Sequence, residues 1–304
     1  MRAAQFPRTS LFHAACAFLS GATDDLITTL FPADCRTCGN PLLRSSLLPI
    51  CDPCRAAIHP QTTTLCQRCG EALEIDMESA RFADQLSTQF SAHPTAEPIL
   101  CYPCRMAPPM FERAVAHALY QDHLRELIHL LKYERMAATA TLLGPMLAQA
   151  ILTLQSEAAR DLLVVAVPLF PAKQRQRGYN QSELLADAAI AALRRAAPAW
   201  RLRRVPGILE RQRDTASQFE LTPHGRRRNL EGAFAVRPNA LPIGCEVLLI
   251  DDIYTTGATA RECATVLRRA GATKVWVATL ARAQVERVKP QLEPEATNVA
   301  FWEN

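Results

Sequence analysis

The chain has 304 residues, of which 49% are hydrophobic, and carries a formal net charge of +4. That length and apolar content allow a sizeable core, in one large domain or two unequal ones. The charge surplus is too mild to imply a nucleic-acid partner by itself. No run of about 18 apolar residues occurs, which argues against a transmembrane helix.

The first segment, residues 1–34, holds a short apolar patch, "LFHAACAFLS", behind Arg2 and Arg8, a faint echo of a signal peptide. Asp24 and Asp25 then lead into "LITTLFPADC", which reads better as an amphipathic helix running into the cysteine-rich region. On this reading the protein is cytoplasmic.

Eight of the eleven cysteines fall in four Cys-x-x-Cys pairs between residues 35 and 104, while Cys16, Cys245 and Cys263 stand alone. A disulfide framework belongs more often to a short secreted domain, and metal thiolates in a reducing compartment suit this longer chain better. "CRTCGNPL" and "CQRCGEAL" are followed by "CDPCR" and "CYPCR", so one unit occurs twice. Two cysteines three apart can place both sulfurs on one tetrahedral ion, and the glycine lets backbone amides turn toward the thiolates. The repeat predicts two zinc-ribbon-like sites over residues 35–108, one of Cys35, Cys38, Cys51 and Cys54, the other of Cys66, Cys69, Cys101 and Cys104. A crossed pairing, a single ion with spare cysteines, and reduced cysteines without metal are the alternatives. Four thiolates close the coordination shell, so such zinc is structural rather than catalytic. The second unit carries a long insert that reads as a helix plus a loop.

From residue 109 to 283 strand and helix patterns alternate. "AVAHALY" is a strand, and "DHLRELIHLLKYE" and "TATLLGPMLAQAILTLQ" are helices by their apolar spacing. "DLLVVAVPLF" is a buried strand closed by Pro168. "NQSELLADAAIAALRRAA" opens with Asn180 and Glu183 at capping-box spacing and continues as an amphipathic helix. "CEVLLIDDI" is another buried strand, "TARECATVLRRAGA" a helix ended by Gly271, and "KVWVATLAR" a further strand. Such alternation argues for a parallel sheet with helices on both faces. The tail, 284–304, is charged and interrupted by proline.

"VLLIDDIYTTGATA" combines a buried strand, two adjacent acids and a small, hydroxyl-rich turn that opens a helix. Backbone amides of the turn and first helical turn can receive an anion, and Thr255, Thr256 and Thr259 add hydroxyls. Two carboxylates about 4 Å apart repel by about 4 kcal/mol at an effective dielectric of 20. Hydroxyl donors and a cation relieve that cost, so a sugar diol between phosphates, with magnesium, suits the whole stretch.

The first 13 of these residues, Val247 to Thr259, resemble the motif with which type I phosphoribosyltransferases grip phosphoribosyl pyrophosphate (PRPP). The resemblance implies that Asp251 and Asp252 bind the ribose hydroxyls and act at the catalytic centre. It assigns the 5′-phosphate to Thr255, Thr256, Gly257, Ala258 and Thr259. The order of a cysteine-rich region, "LIHLLKYE", "VPLFPAKQRQRGYNQSELLA", "DTASQFELTPHGRRRNLEGAF" and then this motif resembles the ComF family over nearly the whole chain. It implies a phosphoribosyltransferase-like fold behind a zinc-binding region, and a role in DNA uptake, competence or use of DNA. It also implies that the loop Pro168 to Gly178 holds pyrophosphate, with Lys173, Arg175 and Arg177 supplying charge. Lys132 in "LLKYE" is a further cation within possible reach of the phosphates.

One departure matters. Purine-salvage enzymes of this class place an acid where Thr255 stands, and a threonine hydroxyl is a poor base at neutral pH. That argues against a hypoxanthine-type reaction.

The stretch from Arg201 to Leu230 contains eight arginines against three acids. The resemblance implies that this stretch forms a hood over the site, where Arg226, Arg227 and Arg228 would meet pyrophosphate. A nucleic-acid surface and a solvated helix face are the other readings. Two functions therefore stand side by side. One is phosphoribosyl transfer from Mg²⁺–PRPP to an acceptor the sequence does not reveal. The other is a non-catalytic PRPP- or nucleotide-sensing protein that binds single-stranded DNA or partners of an uptake apparatus. The oligomeric state is not legible.

Overall fold

The computed structural model describes residues 33–42, 48, 50–73, 98–215, 225 and 229–284. Nearly all of the expected N-terminal helix, most of the insert in the second cysteine unit, residues 285–304 of the C-terminal tail and Arg226, Arg227 and Arg228 lie outside them.

Seven strands and seven helices organise the described residues. The strands are β1 (Arg113–Leu119), β2 (Asp161–Ala166), β3 (Arg201–Arg204), β4 (Leu209–Arg211), β5 (Phe234–Val236), β6 (Glu246–Tyr254) and β7 (Lys274–Arg282). The helices are α1 (Asp52–Ala56), α2 (Tyr102–Met106), α3 (Asp122–Tyr133), α4 (Thr139–Leu152), α5 (Pro171–Arg177), α6 (Gln181–Ala196) and α7 (Ala258–Arg269).

Five strands form one sheet in the order β1-β7-β6-β2-β3, every pairing parallel. β4 and β5 pair antiparallel beside it. The apolar runs of β6 and β7 are continuous because both faces of the sheet are covered. Alternate residues of β6 serve opposite cores. Leu248 and Ile250 pack with Leu127, Leu143, Leu147 and Leu185 of α3, α4 and α6. Val247 and Leu249 pack with Cys263 and Leu267 of α7 and with Phe234 of β5. The expected parallel sheet with helices on both faces is therefore present, behind a cysteine-rich region.

α4 and α6 touch where Gly144 faces Ala188. A Cβ at Gly144 would lie 2.4 Å from the Ala188 Cβ, so only glycine allows this approach. Among the described residues no helix is long and apolar enough to cross a membrane.

The chain order fixes where a ligand fits. From β6 the chain passes through α7 to β7 on one side, and from β2 through α5 and α6 to β3 on the other. β2 and β6 are neighbours, so a crevice opens at their carboxyl ends, the topological switch point of an open parallel sheet.

Candidate functional site

Two segments meet at that crevice: the acids and turn that follow the buried part of β6, and the basic stretch that follows β2. Asp252 is 4% exposed. Its carboxylate lies 2.8 Å from the Lys132 ammonium on α3 and accepts a 2.8 Å hydrogen bond from the Gln181 side-chain amide on α6. Asp251 accepts from the Ser182 hydroxyl at 3.1 Å and from the Asp252 backbone N–H at 2.9 Å. The first turn of α6 and the last turn of α3 therefore hold the two acids in place.

Two carboxylates share one ammonium here. Burial, then the charge of Asp252, push the Asp251 carboxyl up to about 7, against the pull of Lys132 and the two hydrogen bonds. Burial also disfavours the Lys132 ammonium, but Asp252 and more weakly Asp251 outweigh it and hold its pKa above the usual lysine value. The site is short of positive charge. That deficit is one that hydroxyl donors or a cation brought by a ligand would relieve.

Lys132, in the sequence a further cation near the phosphates, pairs with Asp252 in the structure. Gln181 and Ser182 carry a role the sequence reading missed, because "NQSE" reads first as a helix start. That start is real: Asn180 Oδ1 accepts from the Ser182 N–H at 3.0 Å. Glu183 does not complete a capping box and lies 3.9 Å from Arg204. The available signal was burial, since polar residues in the first turn of an amphipathic helix are seldom as enclosed as Gln181 at 5% and Ser182 at 0%.

The turn after β6 is built to admit little. Gly257 has φ +74° and a Cβ there would fall 2.1 Å from the Tyr254 hydroxyl, so the Tyr254 ring fills the inside of the bend. Asp251, Tyr254, Thr255, Gly257, Ala258 and Thr259 line a cavity of about 10 Å³ beneath it. The first amides of α7 have no intrahelical acceptor. The Thr256 hydroxyl is buried without a hydrogen-bond partner. An orphaned buried hydroxyl is costly, and Thr256 does not itself line that cavity.

On the other wall, the expected loop from Pro168 to Gly178 contains α5. Pro171 sits in its first turn and Gly178 ends it at φ +89°. The segment has no buried residue and hence no apolar period to reveal it. Arg177 stacks over Tyr133 at 5.7 Å and donates to Gln181 Oε1, so it connects through that amide to Asp252. Lys173 lies 3.3 Å from Asp214, beyond β4. Arg175 stands exposed on α5. Of the three basic residues, only Arg177 is tied to the acids.

Beside α5 opens a larger cavity of about 450 Å³, lined by Phe170, Gln174, Asn180, Arg204 and Arg211 among others. That is the size of a small-molecule site. The Arg211 Nε is buried there without a hydrogen-bond partner. Burial holds its pKa below the usual arginine value, although Asp251 and Asp214 pull it upward.

The eight paired cysteines gather as two sets, Cys35, Cys38, Cys51 and Cys54, and Cys66, Cys69, Cys101 and Cys104, each with sulfurs within 4.8 Å of one another. The Cys38–Cys51 and Cys69–Cys101 sulfurs lie 3.7 Å and 3.6 Å apart. A tetrahedron with Zn–S near 2.3 Å has edges of about 3.8 Å, so both sets fit zinc. The Cys51 and Cys101 N–H groups donate to the Cys35 and Cys66 sulfurs at 3.4 Å and 3.2 Å, as amides around a bound thiolate do. Gly39 and Gly70, at φ +73° and +68°, permit each bend.

No protein-family model matches the chain. Relatives do. A Salmonella typhimurium protein named DNA utilization protein YhgH is 32% identical over 83% of this chain and 97% of its own length. Its Escherichia coli K12 namesake is 32% identical over 77% and 96%. Competence protein F of Haemophilus influenzae is 28% identical over 77% and 96%. Among solved structures, an allosteric regulatory enzyme of purine biosynthesis aligns with 47% of this chain and 26% of its own, at 24% identity and a TM-score of 0.27.

Proposed function

The chain belongs to the ComF family, and from that premise we propose that it binds Mg²⁺–PRPP in the crevice between β2 and β6. The observation that carries this reading is the meeting, at a topological switch point, of two undercompensated acids with a turn that leaves a buried hydroxyl orphaned. Asp251 and Asp252 take the ribose hydroxyls, with Lys132, Gln181 and Ser182 fixing their orientation. The 5′-phosphate sits on the amides of Thr255, Thr256, Gly257, Ala258 and Thr259, where the Thr256 hydroxyl gains a partner. Arg177, with Lys173 and Arg175, faces the pyrophosphate.

A magnesium ion bound with the ligand would neutralise charge on the leaving pyrophosphate. The chain's own contribution is electrostatic: Asp251 and Asp252 favour positive charge growing on the sugar, and the basic residues favour negative charge on the departing group. No acid stands at Thr255 to serve as a base, so an acceptor that needs no deprotonation by the protein suits the site. The 450 Å³ cavity beside α5 offers that acceptor room. The relatives' names, DNA utilization protein and competence protein, support a role in the uptake or use of DNA.

Calorimetry with PRPP and Mg²⁺ tests the proposal. Wild type should bind, and Asp251→Asn with Asp252→Asn should not. Equal heats from both proteins, or none from wild type, refute it. Pyrophosphate release across an acceptor panel then separates transfer from sensing.

A further inference from the structure

The second cysteine set does not stand apart from the crevice. β7 ends in Arg282, whose residue is 4% exposed. Its guanidinium donates to the Cys69 carbonyl at 2.8 Å and to the Glu71 carboxylate, from Nε at 3.2 Å and also from Nη2. The same guanidinium lies over the Tyr254 ring, 4.3 Å from its centre. Tyr254 and Arg282 are direct neighbours across β6 and β7, and the Ala283 N–H donates to the Tyr254 carbonyl at 2.9 Å. Phe111, just beyond the cysteine-rich region, meets the Tyr254 ring edge-on at 6.3 Å. That ring is the one filling the bend at Gly257. A second tie reaches the helix behind the bend, where Arg261 donates to the Ala107 carbonyl at 2.7 Å.

From this chain of contacts we infer that Arg282 is a positioning residue for the phosphate turn. It joins the Cys69 carbonyl and the Glu71 carboxylate beside the second cysteine set to Tyr254 and so holds residues 255–261 in their anion-receiving shape. The inference rests on the reading of that turn as the phosphate site. Its physical basis is the planar fork: one buried guanidinium satisfies a carbonyl and a carboxylate in its plane and presents a face to the ring. Lysine has a point charge without that plane, and glutamine has neither charge nor fork.

Hydrogen exchange of the full-length protein tests this without any ligand. In Arg282→Gln the amides of residues 255–261 should exchange about tenfold faster than in wild type, while zinc content by atomic emission and exchange in α4 and α6 stay the same. Mg²⁺–PRPP affinity should fall about tenfold, since small misplacements weaken a preorganised site. Arg282→Lys should recover part of both effects. If Arg282→Gln fails to fold, Glu71→Gln, which keeps the arginine and loosens its anchor, should move the same amides in the same direction. Unchanged exchange at 255–261 in a folded variant overturns the inference, and so does faster exchange spread evenly through the sheet. Should wild type not bind PRPP while the turn still loosens in Arg282→Gln, the PRPP reading fails and the positioning role stands.

Discussion

At Asp251 the chain tolerates an unfavourable ionisation. The group's ordinary pKa of about 3.9 rises to about 7 in the folded protein. Between those values the folded state holds more protons than the unfolded one, so stability is lost as pH rises from about 4 through about 7. Asp251→Asn keeps an oxygen for Ser182 and the Asp252 amide but carries no charge. The variant should match wild type near pH 4 and exceed it by about 1–2 kcal/mol above pH 7, the carboxylate's partial exposure limiting the gain. Urea melts across that range measure it; a constant difference would place the strain elsewhere. The variant that stabilises the empty protein is the one expected to lose PRPP, as when a site retains strain for binding. Lys132→Met acts oppositely. It leaves Asp252 buried beside Asp251 without its cation, and should cost about 3 kcal/mol in the same melts.

At the scale of elements, a Cβ at Gly144 tests the α4–α6 packing. Gly144→Ala gains about 1 kcal/mol of helix propensity, but the Ala188 clash at 2.4 Å forces the helices apart. A net loss of about 1–3 kcal/mol, seen as a lower Tm, is expected. A higher Tm would mean that the helices part freely. The elements readable from sequence were those with a continuous or periodic apolar signal: β6 and β7, sandwiched between two cores, and α3, with Leu124, Leu127, Ile128 and Leu131 on one face. β3 escaped because it is an edge strand of four residues with a single buried side chain, Leu202, amid arginines. α5 escaped because it buries nothing. The site was half legible for the same reason. Acids, glycine and threonines announce themselves in one short segment, whereas Lys132, Gln181 and Ser182 join them only because α3 and α6 converge on the end of β6.

Across the whole molecule the two cysteine sets are unequally shielded, and each supports a different wall of the crevice. In the first set Cys38 is exposed and Cys51 half-buried; in the second all four cysteines are buried. The first leans on α3, with Cys35 and Cys54 packed among its leucines and Arg36 paired to Glu134 at 2.6 Å, two residues beyond Lys132. The second lies under Arg282 and Tyr254. A chelator must reach the metal or wait for the fold to open, so an excess should remove zinc in two phases of one equivalent each. The fast phase should expose thiols of Cys35, Cys38, Cys51 and Cys54 and loosen α3 amides around Lys132. The slow phase should coincide with loss of tertiary structure, because opening the second set uncovers the core beneath α7. Following released zinc, thiol labelling by mass spectrometry and near-UV circular dichroism together checks the order. A single phase releasing both equivalents would mean that the sets open as one unit and that exposure of Cys38 gives a chelator no advantage.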